Sequence, residues 1–589
     1  MLRSRWQINK EEVVAEHGVV VSSHPLAAEA GLEMLKAGGN AIDAAVATSF
    51  AVLVLEPWWS CLGGIGFMLV HWAEKGEQVV VDYGPRAPKA ARPDLFELTE
   101  GLGAGFGFRQ VKNDANLYGY LSPAVPGIPA GLCLAHQRYG KLPLVQVMEP
   151  AIHYAAEGFE PSCLTVLQIA MSMEGLVQFP ELTEIMLPGG FPPVTAETGG
   201  TRVSASTDKL KQRDLAQTLR LIARQGSDAF YKGELAEAIH ADVQKNGGII
   251  TRDDLAAYEA RVLTPARTTY RGYEVCTASS PCGGLTVLET LNILENLNLA
   301  PAGHNTVQPL HLFAEAARLA YADRYRHLGD PEFEPVPLRA LLSKEYAQGL
   351  ARKVDPSRAS FESEREIEPW IIYQNISLND PWQYEAGGKE PGQSPKGVGG
   401  DPGGGTTHIG AVDKDHNVVS ATQTAMGQFG SKVVIPGTGI LLNNGMMWFN
   451  PEPGTVNSIA PWKRPLTNTC PLLVMKNGKP FMSLGAPGGR RIINAVTQIL
   501  SNVVDYGLGM QAAIAAPRID CSGKETLADA RLPDEVVEAL AKMGHNMQVA
   551  TETFAGGFFS RPVGILIHPE TGRLHGGADI FRPSTAVGY

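Results

Sequence analysis

The order of hydrophobic and polar positions predicts a strand and two helices at the start of the chain. Residues 12–23, which contain the apolar run Val19–Val21, have the character of a strand. Helical spacing follows over residues 25–37 and stops at Gly38, as helices commonly end at glycine. Asn40 then has the position of an N-cap before a second, mostly apolar helix at residues 41–55. Both helices are therefore expected to pack against a core.

Further along, blocks of strands and blocks of helices succeed each other. Glycine followed by an apolar run at residues 63–70 predicts a buried strand, and helical spacing dominates residues 130–245. After residue 406 strands return, beginning with residues 408–413 and 418–424, which are joined by a short hairpin turn. Because helices and antiparallel strands occur in blocks rather than in strict alternation, we predict an α+β layered fold.

Residues 354–405 interrupt this pattern. They are rich in Glu, Pro, Gly, Ser and Lys and show no periodicity. This composition is typical of a mobile linker. The linker runs directly into Thr406, so we expect a flexible segment immediately before a strand.

The composition is that of a soluble globular protein. The 589 residues are 44% hydrophobic and 19% charged, and 50 basic against 61 acidic side chains give a net charge of -11. The N-terminus lacks the apolar segment of a secretory signal, and the most apolar helix, at residues 44–55, is too short to span a bilayer. We therefore expect a cytoplasmic location, with neither nucleic acid nor a membrane as a partner.

The cysteines and acidic residues give no sign of a metal site. The seven cysteines are scattered and form no CxxC motif, so buried free thiols are expected rather than disulfides or a zinc site. The phosphate-binding pattern GxxxxGK[ST] is absent, and no Asp/Glu pair suited to a metal is evident. We therefore expect no metal and no cofactor.

Candidate chemistry is concentrated where the glycine run Gly403–Gly405 meets Thr406. A threonine at the start of a strand, behind a pliable glycine loop, can attack the carbonyl of the residue before it. Cleavage after Gly405 would free the α-amine of Thr406, which can then act as the base for the threonine hydroxyl. On these residues alone, an ordinary glycine turn before a strand is the more common arrangement.

Other candidate residues lie where strands end. Thr424 ends the strand predicted to pair with that of Thr406, and its hydroxyl either assists the nucleophile or forms an ordinary cross-strand pair. Gly488 and Gly489 precede a helix. Backbone N–H groups at the start of a helix can form an oxyanion hole or bind phosphate. In the alternative interpretation, the two glycines only form the corner between a strand and the helix. Arg86 stands in a Gly/Pro loop as a ligand-binding or a solvated arginine.

A series of motifs makes the chain resemble the γ-glutamyltransferase (glutathione hydrolase) family of N-terminal-nucleophile hydrolases. The motifs occur in the family's order and cover nearly the whole chain. They are AGLEMLKAGGNAIDAAVA at 30–47, LGGIGFML at 62–69, FYKG at 230–233, YRGY at 270–273, YADR at 321–324, TTH at 406–408, GILLNN at 439–444, RPL at 464–466, GAPGG at 485–489 and GY at 588–589.

The resemblance implies an αββα sandwich and self-cleavage between Gly405 and Thr406. The products would be a large subunit, residues 1–405, and a small subunit, residues 406–589. These subunits would be each other's partners, as a heterodimer or as a dimer of heterodimers. The substrate implied is a small-molecule amide.

The catalytic positions of the family are all present. Thr406 would form an acyl-enzyme that water or an amine resolves. Thr424 matches the family's second threonine, and Gly488 and Gly489 match its oxyanion glycines. The resemblance therefore implies that the catalytic machinery is intact.

The acyl-binding positions depart from the family pattern. The family's arginine falls at a glycine here, with Arg86 two residues beyond it. In the family an acidic residue holds the α-amino group of the glutamyl substrate, and Trp448 stands at its position here. This loss matters most, because a buried ammonium without a carboxylate partner is costly. The positions that hold the glutamyl group in the family carry Gly84, Met426, Gly445, Trp448, Thr467 and Asn468 here.

We therefore predict a self-processing threonine amide hydrolase or acyltransferase that resembles cephalosporin acylases. Its acyl group would be glutaryl-like, with a carboxylate met by Arg86. True γ-glutamyl transfer or glutathione hydrolysis is the alternative, since Thr467 and Asn468 can supply replacement contacts. An unprocessed, inactive scaffold or binding protein is an alternative of another class, and the intact Gly405–Thr406 pair argues against it.

Overall fold

The computed structural model describes residues 8–102, 108–194, 209–279, 281–360, 380–385, 405–523, 525–554 and 556–589. Most of the linker predicted at residues 354–405, including Gly403 and Gly404, lies outside these ranges. Among the described helices, none has the length and apolar character needed to cross a membrane.

Strands and helices alternate in blocks along the described residues. The strands are β1 (Val13–Ala15), β2 (Gly18–Ser22), β3 (Ile65–Trp72), β4 (Glu77–Tyr83), β5 (Leu98–Leu102), β6 (Arg109–Val111), β7 (Arg261–Leu263), β8 (Ala266–Tyr270), β9 (Tyr273–Thr277), β10 (Gly405–Asp413), β11 (Val418–Met426), β12 (Val434–Ile435), β13 (Ile440–Leu441), β14 (Leu472–Lys476), β15 (Lys479–Gly485), β16 (Ile519–Asp520), β17 (Thr526–Asp529), β18 (Met547–Ala550), β19 (Val563–Ile567), β20 (Leu574–Ala578) and β21 (Thr585–Gly588). The helices are α1 (Pro25–Lys36), α2 (Ala41–Leu55), α3 (Ile128–Tyr139), α4 (Leu144–Glu157), α5 (Cys163–Met171), α6 (Met173–Leu176), α7 (Pro180–Met186), α8 (Arg213–Gln225), α9 (Asp228–Tyr231), α10 (Glu234–Lys245), α11 (Arg252–Ala257), α12 (Gly284–Glu295), α13 (Val307–His327), α14 (Leu338–Leu341), α15 (Lys344–Ala351), α16 (Arg491–Val504), α17 (Met510–Ala515) and α18 (Asp534–Lys542).

Two seven-stranded sheets form the centre of the molecule. Sheet I has the strand order β21-β2-β10-β11-β3-β4-β7, and sheet II has the order β1-β20-β19-β15-β14-β9-β8. Every pairing within them is antiparallel. Each sheet takes strands from both sides of the Gly405–Thr406 bond, so the predicted cleavage point lies inside a shared sheet.

Four layers result from the way these sheets bury their faces. The sheets pack face to face through alternating apolar residues such as Val21 and Leu69 of sheet I and Leu473 and Ile565 of sheet II. Helices including α1–α4 cover the outer face of sheet I, and α12, α13 and α16 cover that of sheet II. This arrangement confirms the predicted α+β fold and its αββα layers.

Several predicted elements are found almost unchanged. Helix α1 ends one residue earlier than predicted, and Asn40 caps α2 through a reciprocal pair of hydrogen bonds with Asp43. The strand predicted at residues 12–23 divides into β1 and β2. The small sheet β16–β18 and strand β21 have no counterpart among the predicted elements, since each strand has only two to four residues and carries no measurable periodicity.

Candidate active site

Thr406 and Thr424 face each other across the neighbouring strands β10 and β11. The antiparallel register pairs them directly, and a bulge separates Gly405 from Thr406. Both threonines are buried. The hairpin that the sequence predicts therefore places the two hydroxyls side by side.

The Thr424 hydroxyl connects the candidate nucleophile to the bond it would cleave. Thr406 Oγ1 donates to Thr424 Oγ1 over 3.1 Å, and Thr424 Oγ1 donates to the carbonyl oxygen of Gly405. The backbone N–H of Met426 donates to Thr424 Oγ1 over 2.7 Å. A hydroxyl has one proton and two lone pairs, so its hydrogen-bonding capacity is fully used and its orientation is fixed.

The backbone around Gly405 is tightly packed. A Cβ at Gly405 would lie 2.5 Å from the carbonyl oxygen of Gly427 and 2.7 Å from that of Trp58. Met426, which pairs with Gly405, has a φ of +81° although it carries a side chain. Left-handed backbone of this kind costs roughly 1–2 kcal/mol for such a residue and is concentrated at functional sites. Glycine is therefore required before Thr406 for steric reasons.

His408 lies two residues after Thr406 but does not act as a charged group. Its Nδ1 is 2.8 Å from Thr422 Oγ1, and complete burial lowers the pKa of its imidazole to about 3. The ring is therefore neutral at physiological pH. The α-amine that cleavage would free at Thr406 stays the better candidate for a base.

Gly488 and Gly489 lie in the loop between β15 and α16. Strand β15 ends at Gly485, where a Cβ would overlap the ring of His408, so this loop begins beside the start of β10. Gly488 and Gly489 have φ values of +145° and +62°, which favour glycine. The loop is thus at the same end of the sandwich as Thr406, and the oxyanion role of the two glycines stays a prediction.

Three of the predicted acyl-binding positions form one apolar wall. Met426 and Trp448 belong to a single buried cluster with Ile65, and a Cβ at Gly445 would lie 2.9 Å from Met426 Sδ. Because Met426 pairs with Gly405, the wall stands beside the candidate nucleophile. None of these three side chains offers a charged group to hold an ammonium.

Two further predicted acyl-binding residues, Thr467 and Asn468, lie on a loop held by Arg324. Arg324 Nη2 donates to the carbonyl oxygen of Thr467 over 2.7 Å and to Asn468 Oδ1 over 2.8 Å. Asn457 Nδ2 donates to the carbonyl oxygen of Trp448 over 2.7 Å, and Asn457 lines the same small cavity as Arg324, Trp448 and Asn468. Arg324 belongs to the YADR motif, but no sequence pattern indicates a role for Arg324 or Asn457 in the site.

Arg86 is held by a carboxylate of the chain itself. Its Nη1 and Nη2 donate to the two carboxylate oxygens of Glu332 over 3.1 and 3.2 Å, and Nη1 also donates to the carbonyl oxygen of Trp462. Glu332 pairs with Arg261 and Arg464 as well. Burial opposes its ionisation, yet these cationic partners lower the pKa of Glu332 to about 2. The predicted role of Arg86 in carboxylate binding stays a prediction, although its guanidinium already has a counter-ion.

A hydrogen-bonded chain of polar groups adjoins the residue after the nucleophile, and no sequence pattern indicated it. Ser23 Oγ donates to Glu56 Oε2 and lies 2.7 Å from Thr407 Oγ1. Burial raises the pKa of Glu56 to about 7, against the opposing effects of the Ser23 hydrogen bond and the charge of Arg561. A carboxyl group that titrates near neutral pH therefore lies one hydroxyl away from Thr407.

No metal site is found within the described ranges: no three His, Cys, Asp or Glu side chains come together there in a suitable arrangement. All seven cysteines lie in the described ranges, none is joined in a disulfide, and all but Cys163 are buried. Burial raises the pKa of Cys61 far above its usual range, so it remains a thiol.

Comparisons with known proteins agree with the motifs. A sequence profile described as Gamma-glutamyltranspeptidase matches residues 27–589. The chain is 36% identical over 550 residues to the Acylase ACY 1 proenzyme of Pseudomonas sp. (strain SE83), covering 93% of this chain and 90% of that protein. It is 34% identical over 590 residues to the Glutathione hydrolase proenzyme of Bacillus subtilis (strain 168), covering 98% of this chain and 92% of that protein. The solved structure of a cephalosporin acylase from Bacillus halodurans matches with a TM-score of 0.83 at 30% identity, covering 100% of this chain and 98% of that chain.

Proposed function

Because the chain belongs to the gamma-glutamyltranspeptidase family of hydrolytic enzymes, we propose that it is a self-processing threonine amide hydrolase. The observation that carries this proposal is the hydrogen-bonded path from the Thr406 hydroxyl through Thr424 to the carbonyl of Gly405. Processing would give subunits 1–405 and 406–589, which stay together as a heterodimer, and we place the enzyme in the cytoplasm. The proenzyme names of two relatives support the processing step.

Self-cleavage follows from the geometry of the two threonines. Thr406 Oγ1 attacks the carbonyl carbon of Gly405, and the carbonyl oxygen takes up negative charge that the Thr424 hydroxyl stabilises. The C–N bond of Gly405–Thr406 then breaks, the hydroxyl proton passes to the released nitrogen, and an ester joins Gly405 to Thr406 Oγ1. Water hydrolyses this ester and leaves Thr406 with a free α-amine.

Turnover reuses the same hydroxyl on an external amide. The free α-amine of Thr406 accepts the hydroxyl proton, Oγ1 attacks the substrate carbonyl, and the amine of the substrate leaves with that proton. Gly488 and Gly489 would donate backbone N–H groups to the oxyanion. Water, or an amine acceptor, then releases the acyl group from Thr406.

For the acyl group we propose a carboxylate-bearing chain without an α-amino group, as in a glutaryl amide. The apolar wall of Met426, Gly445 and Trp448 supports this choice because it leaves an ammonium unpaired. The similarity to an acylase proenzyme and a cephalosporin acylase agrees with it. The γ-glutamyl group remains the second candidate, supported by the similarity to a glutathione hydrolase proenzyme.

The processing step is tested on the purified chain. We expect wild-type protein to run as two fragments on a denaturing gel and the mass of the smaller fragment to match residues 406–589. Thr406→Ala should stay intact, and Thr406→Ser, which keeps a hydroxyl, should still be cleaved. A wild-type chain that remains whole after long incubation would support the inactive scaffold instead.

The substrate class is tested with a matched pair that differs only in the α-amino group. We expect kcat/KM for glutaryl-p-nitroanilide to exceed that for γ-glutamyl-p-nitroanilide by about 10- to 150-fold. The reason is that burying the ammonium of the γ-glutamyl group without a partner costs about 1.5–3 kcal/mol of binding free energy or more. A preference for the γ-glutamyl compound would establish the second candidate.

A further inference from the structure

Arg324 is a buried cation that lacks a counter-ion in the described part of the chain. Its side chain on α13 is 1% exposed. Its hydrogen bonds go to neutral acceptors, namely the carbonyl oxygens of Thr467 and Cys282 and Oδ1 of Asn468. Among the described residues, no group accepts a hydrogen bond from its Nε. No carboxylate of the described residues lies within ion-pair distance of its guanidinium.

Another buried arginine, Arg464, shows a contrasting arrangement. Arg464 is 5% exposed and pairs with Asp82, Asp330 and Glu332. A charge that is removed from water without a partner carries a large desolvation penalty. The environment of Arg324 is therefore suited to an anion that comes from outside the chain.

A cavity beside Arg324 has room for a carboxylate. Its volume is about 30 Å³, and Arg324, Trp448, Asn457 and Asn468 are among its lining residues. The side-chain oxygen of Asn468 accepts from Arg324, which leaves Asn468 Nδ2 as a donor for a ligand. No hydrogen bond from this Nδ2 is made within the described ranges.

The cavity adjoins the acyl-binding wall. Trp448 lines the cavity and belongs to the same buried cluster as Met426, which pairs with Gly405 beside the nucleophile. Trp448 therefore connects the wall beside Thr406 to the cavity that Arg324 lines. Arg86, by contrast, already pairs with Glu332.

We propose that Arg324, together with Asn468, is the receptor for the terminal carboxylate of the acyl group, in place of Arg86. The inference rests on the proposed function and specifies its substrate class as mono-amides of short dicarboxylic acids. Arg324 is then a specificity-determining residue, because it binds the end of the acyl chain and not the reacting carbonyl.

The test compares two acyl chains of equal length on the processed enzyme. Glutaryl-p-nitroanilide ends in a carboxylate, and valeryl-p-nitroanilide ends in a methyl group. Arg324→Gln should lower kcat/KM for the glutaryl compound by about 10- to 150-fold, the range for a lost hydrogen bond to a charged group. It should change the valeryl value by less than about threefold, and equal losses on both compounds would overturn the proposal.

A second variant gives the charge of Arg324 a counter-ion within the chain and keeps the arginine itself. Asn468→Asp keeps an acceptor for Arg324 Nη2 but places a carboxylate where the substrate's carboxylate would bind. We expect the same selective loss on the glutaryl compound, and unchanged glutaryl turnover would overturn the proposal. Cleavage at Thr406 shows whether a variant has folded. If Arg324→Gln fails to fold by this criterion, Asn468→Asp decides the outcome.

Arg86→Gln is the competing arm of the experiment. Loss of the ion pair with Glu332 should affect both compounds alike, whereas a loss confined to the glutaryl compound would assign the carboxylate to Arg86 and overturn the proposal. Failure of the proposed function looks different, since wild-type protein would then remain uncleaved or turn over neither compound.

Discussion

At the scale of single residues, the hydrogen bonds from Thr407 through Ser23 lead to Glu56, a carboxyl group that titrates near neutral pH. Glu56 is 1% exposed, and no described residue donates a hydrogen bond to its Oε1. Because burial raises the pKa of Glu56 from 4.5 to about 7, its protonated form is favoured in the folded state. The residue thus links the stability of this region to pH.

The direction of that dependence follows from the two pKa values. Below pH 4.5 the Glu56 carboxyl is neutral in both states and its contribution to stability is complete. Between pH 4.5 and about 7 the unfolded chain ionises first, so stability falls as pH rises. The difference between the two pKa values corresponds to a loss of about 3 kcal/mol.

Glu56→Gln should remove this loss. In the uncleaved Thr406→Ala background, we expect the free energy of unfolding of the Glu56 protein to fall relative to that of Glu56→Gln by about 2–3 kcal/mol between pH 5 and pH 8. Urea unfolding at several pH values measures it. A difference that stays constant with pH would show that Glu56 does not titrate in this range.

At the scale of elements, α1 and α2 pack so closely that one position of α1 excludes a side chain. A Cβ at Gly31 would lie 2.9 Å from the carbonyl oxygen of Ala44 and would overlap Thr48 Oγ1, both on α2. Gly349 on α15 offers a contrast, since a Cβ there would meet only the Tyr384 hydroxyl at 4.0 Å. The same substitution should therefore have opposite effects in the two helices.

We expect Gly31→Ala to lower the free energy of unfolding by about 1–3 kcal/mol, because the helices must separate to admit a methyl group. Gly349→Ala should raise it by about 0.5–1 kcal/mol through helix propensity. Urea unfolding of both variants in the uncleaved background measures the pair. Effects of the same sign would contradict the packing described for α1 and α2.

At the scale of the whole molecule, the predicted cleavage would cut a chain whose two parts share both sheets. In sheet I, β10 lies between β2 and β11, and in sheet II, β14 pairs with β9. These pairings join residues before and after position 405 through backbone hydrogen bonds that cleavage leaves in place. The fragments should therefore behave as one folded unit.

We expect the processed protein to elute as one species in native size-exclusion chromatography, with both fragments in the same fractions, and to unfold in urea in a single transition. The fragments should separate only in denaturant. Thr406→Ala provides the uncleaved reference of 63.1 kDa. Separation in native buffer, or two unfolding transitions, would contradict the shared-sheet architecture.

The sequence by itself determined the features that depend on short stretches of chain. Periodicity and capping residues predicted α1, α2 and the β10–β11 hairpin, because the contacts that define them are local. The pairing of Thr406 with Thr424 belongs to the same class, since the two residues are 18 apart and a single turn joins their strands. The ordered family motifs added the αββα layers and favoured Thr406 as a nucleophile over an ordinary residue after a glycine turn.

Only the tertiary structure decided which charges meet. Arg86 finds its carboxylate 246 residues away, and Ser23 contacts Thr407 across 384 residues. The isolation of Arg324 in a cavity likewise depends on how α13 packs against the loop of Asn468. Local patterns record the periodicity of an element but not the neighbours it acquires when layers pack, so Arg324, the proposed receptor for the acyl carboxylate, could be recognised only in the folded chain.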